Sequence, residues 1–235
     1  MYKTIIIYLK QKINNGAERS VKIKKNIALD FFIKGLSIVI NLLLVPLTIN
    51  YLNPVKYGIW LTISSIILWF GFFDIGLTQG FRNYFTTAIA KKEIELARIY
   101  VSTIYFILTV VFASVLLLFL PLNYIINWNS VLNINQIGID ELRNVIAITF
   151  VFFCLKFVIG IITTIFSADQ KPALSSLYNT IGNVISLLLI FILTKTTTGN
   201  LIYLCFIFSA IPVFVLIIVS IPDFNSDYKE YAPSF

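Results

Sequence analysis

Leu201-Ile-Tyr-Leu-Cys-Phe-Ile-Phe-Ser-Ala-Ile-Pro-Val-Phe-Val-Leu-Ile-Ile-Val-Ser-Ile221 carries no charged residue. As a helix this stretch is long enough to cross the roughly 30 Å hydrocarbon core of a bilayer. Reading outward from it, five further apolar runs satisfy the same length criterion: Ile27–Leu52, Ile59–Phe81, Ile99–Leu122, Val145–Phe166 and Ala173–Thr194. The fourth crossing is taken over 143–166. Only Lys195–Asn200 separates the last two runs, which predicts a tight antiparallel turn. The expected fold is therefore an all-α polytopic membrane protein with six transmembrane helices over 27–52, 59–81, 99–122, 143–166, 173–194 and 201–221.

Composition agrees. Hydrophobic residues make up 58% of the 235 positions and charged residues only 12%, against about a quarter charged in soluble domains. The formal net charge is +7, but its distribution reads as membrane orientation, and no nucleic-acid partner is expected. Thirteen of the 18 Lys and Arg fall before the first run, in the connections 82–98 and 167–172, and after the last run, whereas Lys56, Arg143 and Lys195 fall on the other side. By the positive-inside rule both termini are expected in the cytoplasm. The chain divides into a basic segment 1–25, a six-helix lobe 26–222 and a tail 223–235. Residues 1–25 have no secretory h-region, so no signal peptide is expected. They suit either a short interfacial helix on an anionic leaflet or a disordered basic tail.

There is no histidine, which removes the usual general base and the commonest metal ligand. Any proton coupling would run through carboxylates. Cys154 and Cys205 lie in separate apolar runs without CxxC spacing and read as small buried hydrophobes. No metal or cofactor is expected. The loop Asn123–Leu142 is rich in Asn, which suits sugar contact but is equally a common loop composition.

Lys34 and Lys156 sit inside apolar runs. An ionisable group at membrane depth marks a ligand or ion pathway, unless the ammonium snorkels to the headgroups or forms a structural pair. At 1.5 Å per residue Lys34 lies about 10 Å, and Lys156 about 15 Å, from the cytoplasmic end of its helix. Asp74 comes to a similar level and Asp30 is one turn from Lys34, so either carboxylate could pair with it. Asp30, Lys34, Ser37, Asn41 and Thr48 stack on one face of the first helix. Pro46 follows on the same helix, where a lost hydrogen bond should kink it. Ser176, Asn179, Asn183 and Ser186 form a second seam, and Lys156, Gly160, Thr163 and Ser167 a third. Such residues are either the lining of a cavity or interhelical glue; a lysine in two of the three seams favours an anion-accepting cavity.

Phe72-Phe-Asp-Ile-Gly-Leu-Thr-Gln-Gly-Phe-Arg-Asn83, preceded by Tyr51-Leu-Asn-Pro-Val-Lys-Tyr-Gly-Ile-Trp60 and followed by Ala97-Arg-Ile-Tyr-Val-Ser102, resembles the polysaccharide and O-antigen flippases. These form the Wzx-like branch of the multidrug/oligosaccharidyl-lipid/polysaccharide exporter superfamily. Asp169-Gln-Lys-Pro-Ala-Leu-Ser-Ser-Leu-Tyr-Asn-Thr-Ile-Gly-Asn183 resembles that family's fourth-to-fifth helix connection, and the likeness extends over residues 24 to 235. Within the first stretch Gly76 and Gly80 form a GxxxG suited to close helix contact, with Asp74 and Arg82 bracketing it as either a structural latch or gating charges at the rim.

The resemblance implies a non-enzymatic transporter of the bacterial cytoplasmic membrane that moves a polyprenyl-diphosphate-linked oligosaccharide to the outer leaflet. Lys34 and Lys156 would meet the diphosphate, with Asn41, Asn179 and Asn183 as lining and Asp30, Asp74 and Arg82 as rim charges. It further implies one lobe of a MATE-like, two-lobed transporter with alternating access. Members have two lobes, and Tyr231-Ala-Pro-Ser-Phe235 resembles the connection before a seventh helix. A second lobe or a second copy, together with membrane lipids, would be the partners. The alternatives are a multidrug or small-cation antiporter of the same fold, a non-transporting partner of a glycan assembly complex, and a membrane enzyme. The last is disfavoured by the missing histidines and the lack of paired carboxylates on a common face.

Overall fold

The structure, a computed structural model, describes residues 2–71 and 76–234, with side chains from Lys25 onward. Every long element among them is a helix. In chain order these are α1 (Tyr2–Leu52), α2 (Pro54–Trp69), α3 (Leu77–Lys91), α4 (Ile94–Ile125), the short α5 (Trp128–Leu132), α6 (Ile139–Ile159), α7 (Ile161–Ala168), α8 (Pro172–Thr196) and α9 (Leu201–Asn225), with a 3-10 turn at Lys229–Tyr231. Among the described residues five stretches are long and apolar enough to cross a membrane: Lys25–Leu52, Ile94–Ile125, Ile139–Ala168, Pro172–Thr196 and Leu201–Asn225. These carry five of the six expected crossings and make the chain a multi-pass α-helical membrane protein by length and composition. Their outward faces are correspondingly apolar, with Phe31, Phe32, Leu117 and Ile218 all exposed.

The expected second crossing, Ile59–Phe81, is not one helix. Its residues are shared between α2 and α3, of 16 and 15 residues, each about 24 Å or less and too short to span alone. The break is written in its chemistry: α3 begins after Gly76 at φ 77, a left-handed conformation that glycine adopts without the Cβ penalty.

Local sequence also explains the other ends. Asn53 caps α2 by accepting from the Lys56 amide, with Pro54 at its first position, the favoured N-terminal pairing. After α7 the chain turns through Gln170 at φ 61, and Pro172 opens α8. α1 continues through Pro46 as a single helix.

α1 lies along α8, α9 packs against both α6 and α8, and α4 bridges α3 and α6. α1 and α8 run parallel and in register. Asp30 bonds Ser176, Ser37 bonds Asn183 and Tyr51 bonds Thr197, each pair 146 positions apart. The α8–α9 contact is close because Gly182 leaves room for Pro212, whose Cα would lie 3.4 Å from an added methyl.

The connections sort to two ends. Lys56, Glu141 and Gly199 meet at one, through Lys56 Nζ at 3.9 Å from Glu141 and 3.2 Å from the Gly199 carbonyl. At the other, Asn26 bonds the Gln170 carbonyl, and Arg98 and Ser102 bond the chain at Ala232 and Ser234. Two apolar clusters fill the interior. One is built around Ile63, Leu142, Phe150 and Leu204, the other around Phe85, Val101, Ile162 and Phe166.

Candidate functional site

Asp30 and Ser37 of α1 face α8. Asp30 is buried, its Oδ2 2.8 Å from Lys34 Nζ, and its Oδ1 accepts the Ser176 hydroxyl. The Lys34 side chain is 61% exposed, so its ammonium is anchored at one point and otherwise turned away from the packed interface. One turn on, Asn183 Nδ2 donates to Ser37 Oγ at 3.2 Å. Asn183 therefore ties α8 to α1, with its amide oxygen as the group left to meet a ligand. Asn41 is exposed on α1.

Lys156 occupies a different place. It opens onto a cavity of about 410 Å³ lined with Thr163, Thr164, Asn179 and Thr78 on the polar side and Leu68, Phe153, Phe157 and Leu216 on the apolar side. The Asn179 amide donates to the Ser175 carbonyl at 2.9 Å and the Thr163 hydroxyl to the Gly160 carbonyl at 2.7 Å, which leaves oxygen acceptors and the lysine ammonium at the wall. Lys156 is exposed and has no ion-pair partner among the described residues.

Two helix interruptions border this cavity. Gly71, just past α2, lines one side; Gly160, Ile161 and Lys156 line the other. Irregular backbone at membrane depth is tolerated where it lies against protein or a polar cavity. At Gly160 the reason for glycine is local: an added methyl would sit 2.5 Å from the Lys156 carbonyl oxygen.

The structure thus brings Lys156 together with Asn179, and Lys34 together with Asp30. Asp74 lies outside the described residues. Arg82 is exposed on α3 without an ion pair among the described residues. Gly76 and Gly80 make no close helix contact among the described residues, where a methyl on either would meet no atom within 4 Å. They floor an open groove between α3 and α4, with Tyr84 and Tyr100 at its side.

Protein-family models, curated proteins and solved structures were compared with the chain, and none matches.

Sequence reasoning passed over one polar cluster. Lys171, counted only for its charge, pairs with Asp169 at 2.8 Å and with Asp227 at 3.8 Å. The buried Tyr228 hydroxyl donates to Asp169 Oδ2 at 2.9 Å. Burial, then the Asp169 carboxylate, raise the Tyr228 phenol above its ordinary range, which keeps it neutral and able to donate. An aspartate and a lysine two residues apart in the α7–α8 connection were the available signal, but nothing in the spacing pointed to Tyr228.

Three asparagines of the 123–142 stretch serve the local structure. Asn129 donates to the Ile134 and Ile137 carbonyls, Asn127 caps α5, and Asn123 accepts from Trp128. Cys154 and Cys205 are buried free thiols.

Proposed function

We propose that the chain is one lobe of a transporter that carries a polyprenyl-diphosphate-linked oligosaccharide across the bacterial cytoplasmic membrane, with Lys156 as the principal diphosphate contact and Lys34 as a second. The observation carrying this reading is the Lys156 cavity. It sets an ammonium without an ion pair among the described residues, beside hydroxyl and amide groups, at membrane depth next to two interrupted helices. A lysine at the centre of a membrane helix costs about 2.5–3.5 kcal/mol on insertion scales, so its retention there favours an anionic ligand.

Six crossings in a MATE-like lobe suit this reading. Because α1 and α8 run parallel, an odd number of crossings must separate them. α4 and α6–α7 would supply two, and α2 taken together with α3 the third.

A partner covering the polar face belongs to the same proposal. Lys34, Asn41, Lys156 and Asn179 are all exposed, and such groups facing lipid are disfavoured. A second lobe or a second copy enclosing water against them removes that cost. A cation antiporter of the same architecture is less well supported, because the buried membrane carboxylate Asp30 is already neutralised by Lys34.

Translocation of a polyprenyl-diphosphate-linked oligosaccharide in proteoliposomes holding this chain tests the proposal. Flux that falls at least tenfold in Lys156→Ala supports it. Equal flux from wild type and variant, or none from well-inserted protein supplied with candidate second lobes, overturns it.

A further inference from the structure

After α9 the chain reverses. The Ser226 and Tyr228 amides both reach back to the Asp223 carbonyl, at 3.3 and 2.9 Å, and the 3-10 turn Lys229–Tyr231 follows. This segment is fastened to three separate parts of the bundle. Tyr228 packs its ring on Phe166 of α7, 5.5 Å between centroids, and bonds Asp169 in the α7–α8 connection. Tyr231 sets its ring edge-on to Phe85 of α3 at 5.6 Å. The main chain then runs along α4, where the Ala232 carbonyl accepts from Arg98 Nε at 3.1 Å and the Ser234 amide donates to Ser102 Oγ at 3.0 Å.

The far end of α7 is jointed. α6 stops at Ile159 and α7 restarts at Ile161, with Gly160 between them. The Thr163 amide bonds the carbonyl of Gly160, three residues back, so the helical ladder is tightened at that point. α7 is eight residues long and carries Thr163 and Thr164, the hydroxyl wall of the Lys156 cavity. It is therefore held by a glycine joint at one end and by the Tyr228 cluster at the other.

We propose that residues 226–234 form a strap that sets the position of α7, and that release of the strap lets α7 pivot at Gly160 and reshape the Lys156 cavity. Tyr228 is the positioning residue of this device; it does not touch the cavity. The holding bonds suit reversible release. Asp227 is 70% exposed and its bond to Lys171 is long at 3.8 Å, so solvent competes with it, while the buried Tyr228 supplies the apolar grip. The inference concerns how the cavity is shaped and does not depend on which anion enters it.

The test uses the full chain in lipid nanodiscs, comparing wild type with Tyr228→Ala and Tyr228→Phe. One readout is amide hydrogen exchange across 161–171. The other is labelling of a single cysteine, Thr164→Cys with Cys154→Ala and Cys205→Ala, by a water-soluble maleimide. Loss of a buried ring and its hydrogen bond should speed exchange in α7 about tenfold or more and raise labelling, with α1 and α8 unchanged. Tyr228→Phe keeps the ring on Phe166 and removes only the hydroxyl. It should give the same pattern at smaller amplitude, and it keeps the question answerable if Tyr228→Ala does not fold. Unchanged α7 exchange and labelling in the variants that fold, or faster exchange spread over the whole bundle, overturns the proposal, because a contact that merely stabilises the fold would not loosen α7 alone.

Discussion

Ser176 on α8 donates its hydroxyl to the Asp30 carboxylate on α1, and that same carboxylate holds Lys34 one turn along. A single buried acid thus joins two helices and compensates a membrane lysine. Removing it should cost more than removing the lysine with it. Asp30→Ala is expected to destabilise the protein by about 1–3 kcal/mol, since it strands both a hydroxyl and an ammonium. The double variant Asp30→Ala/Lys34→Ala should recover part of the loss. Thermal unfolding in detergent micelles reads both; strictly additive losses would contradict the pairing.

Lys156 differs from Lys34 in having no carboxylate beside it among the described residues. Lys156→Met should therefore leave thermal stability unchanged or raise it slightly, while reducing translocation at least tenfold. Lys156→Arg should retain part of the flux, because the positive charge remains. Paired unfolding and transport measurements separate the two effects. A variant that loses stability and flux together would mark the lysine as structural.

Much of this arrangement was legible in the sequence, for reasons tied to particular residues. The absence of charge from Ile99–Leu122, Ala173–Thr194 and Leu201–Ile221 left helices as the only way to satisfy their backbones in lipid. The spacing of Asp30, Lys34, Ser37, Asn41 and Thr48 stacked them on one face; in the structure Asp30 and Ser37 bond α8, Lys34 bonds Asp30, and Asn41 is exposed. Spacing cannot say what that face meets, which is why Asp74 stood beside Asp30 as a partner for Lys34 and why α8 was not identified as the neighbour. Ile59–Phe81 read as one crossing because hydropathy averages over Gly71 and Gly76, whereas helix continuity depends on single backbone conformations. The strap was illegible because its contacts, of Tyr228 to Asp169 and Phe166 and of Tyr231 to Phe85, are all distant in sequence.

The glycines give a sharp contrast. Gly160→Ala would press a methyl against the Lys156 carbonyl at 2.5 Å and should cost about 1–3 kcal/mol. Gly80→Ala meets nothing within 4 Å among the described residues and should fall within about 0.5 kcal/mol of wild type. Melting temperatures of the two variants decide it. If Gly80→Ala proves as damaging as Gly160→Ala, α3 is packed in the membrane against a helix that this chain does not supply.

The step on which the whole topology turns is whether α2 and α3 together make a crossing. If the chain passes through the membrane between Asn53 and Lys92, then Lys56 must lie on the same side as Gly199 and opposite Lys91. If α2 and α3 instead return to the side they left, Lys56 and Lys91 share a side, and α1 and α8 would have to run antiparallel, against the constant 146-residue offset of their three bonded pairs. Single cysteines at positions 56, 91 and 198, in a background without Cys154 and Cys205, should react with an impermeant maleimide in a sided pattern. Positions 56 and 198 are expected to label from outside intact cells, and position 91 only after the membrane is opened. Labelling of position 91 from outside would leave α2 and α3 as a re-entrant pair and remove the sixth crossing.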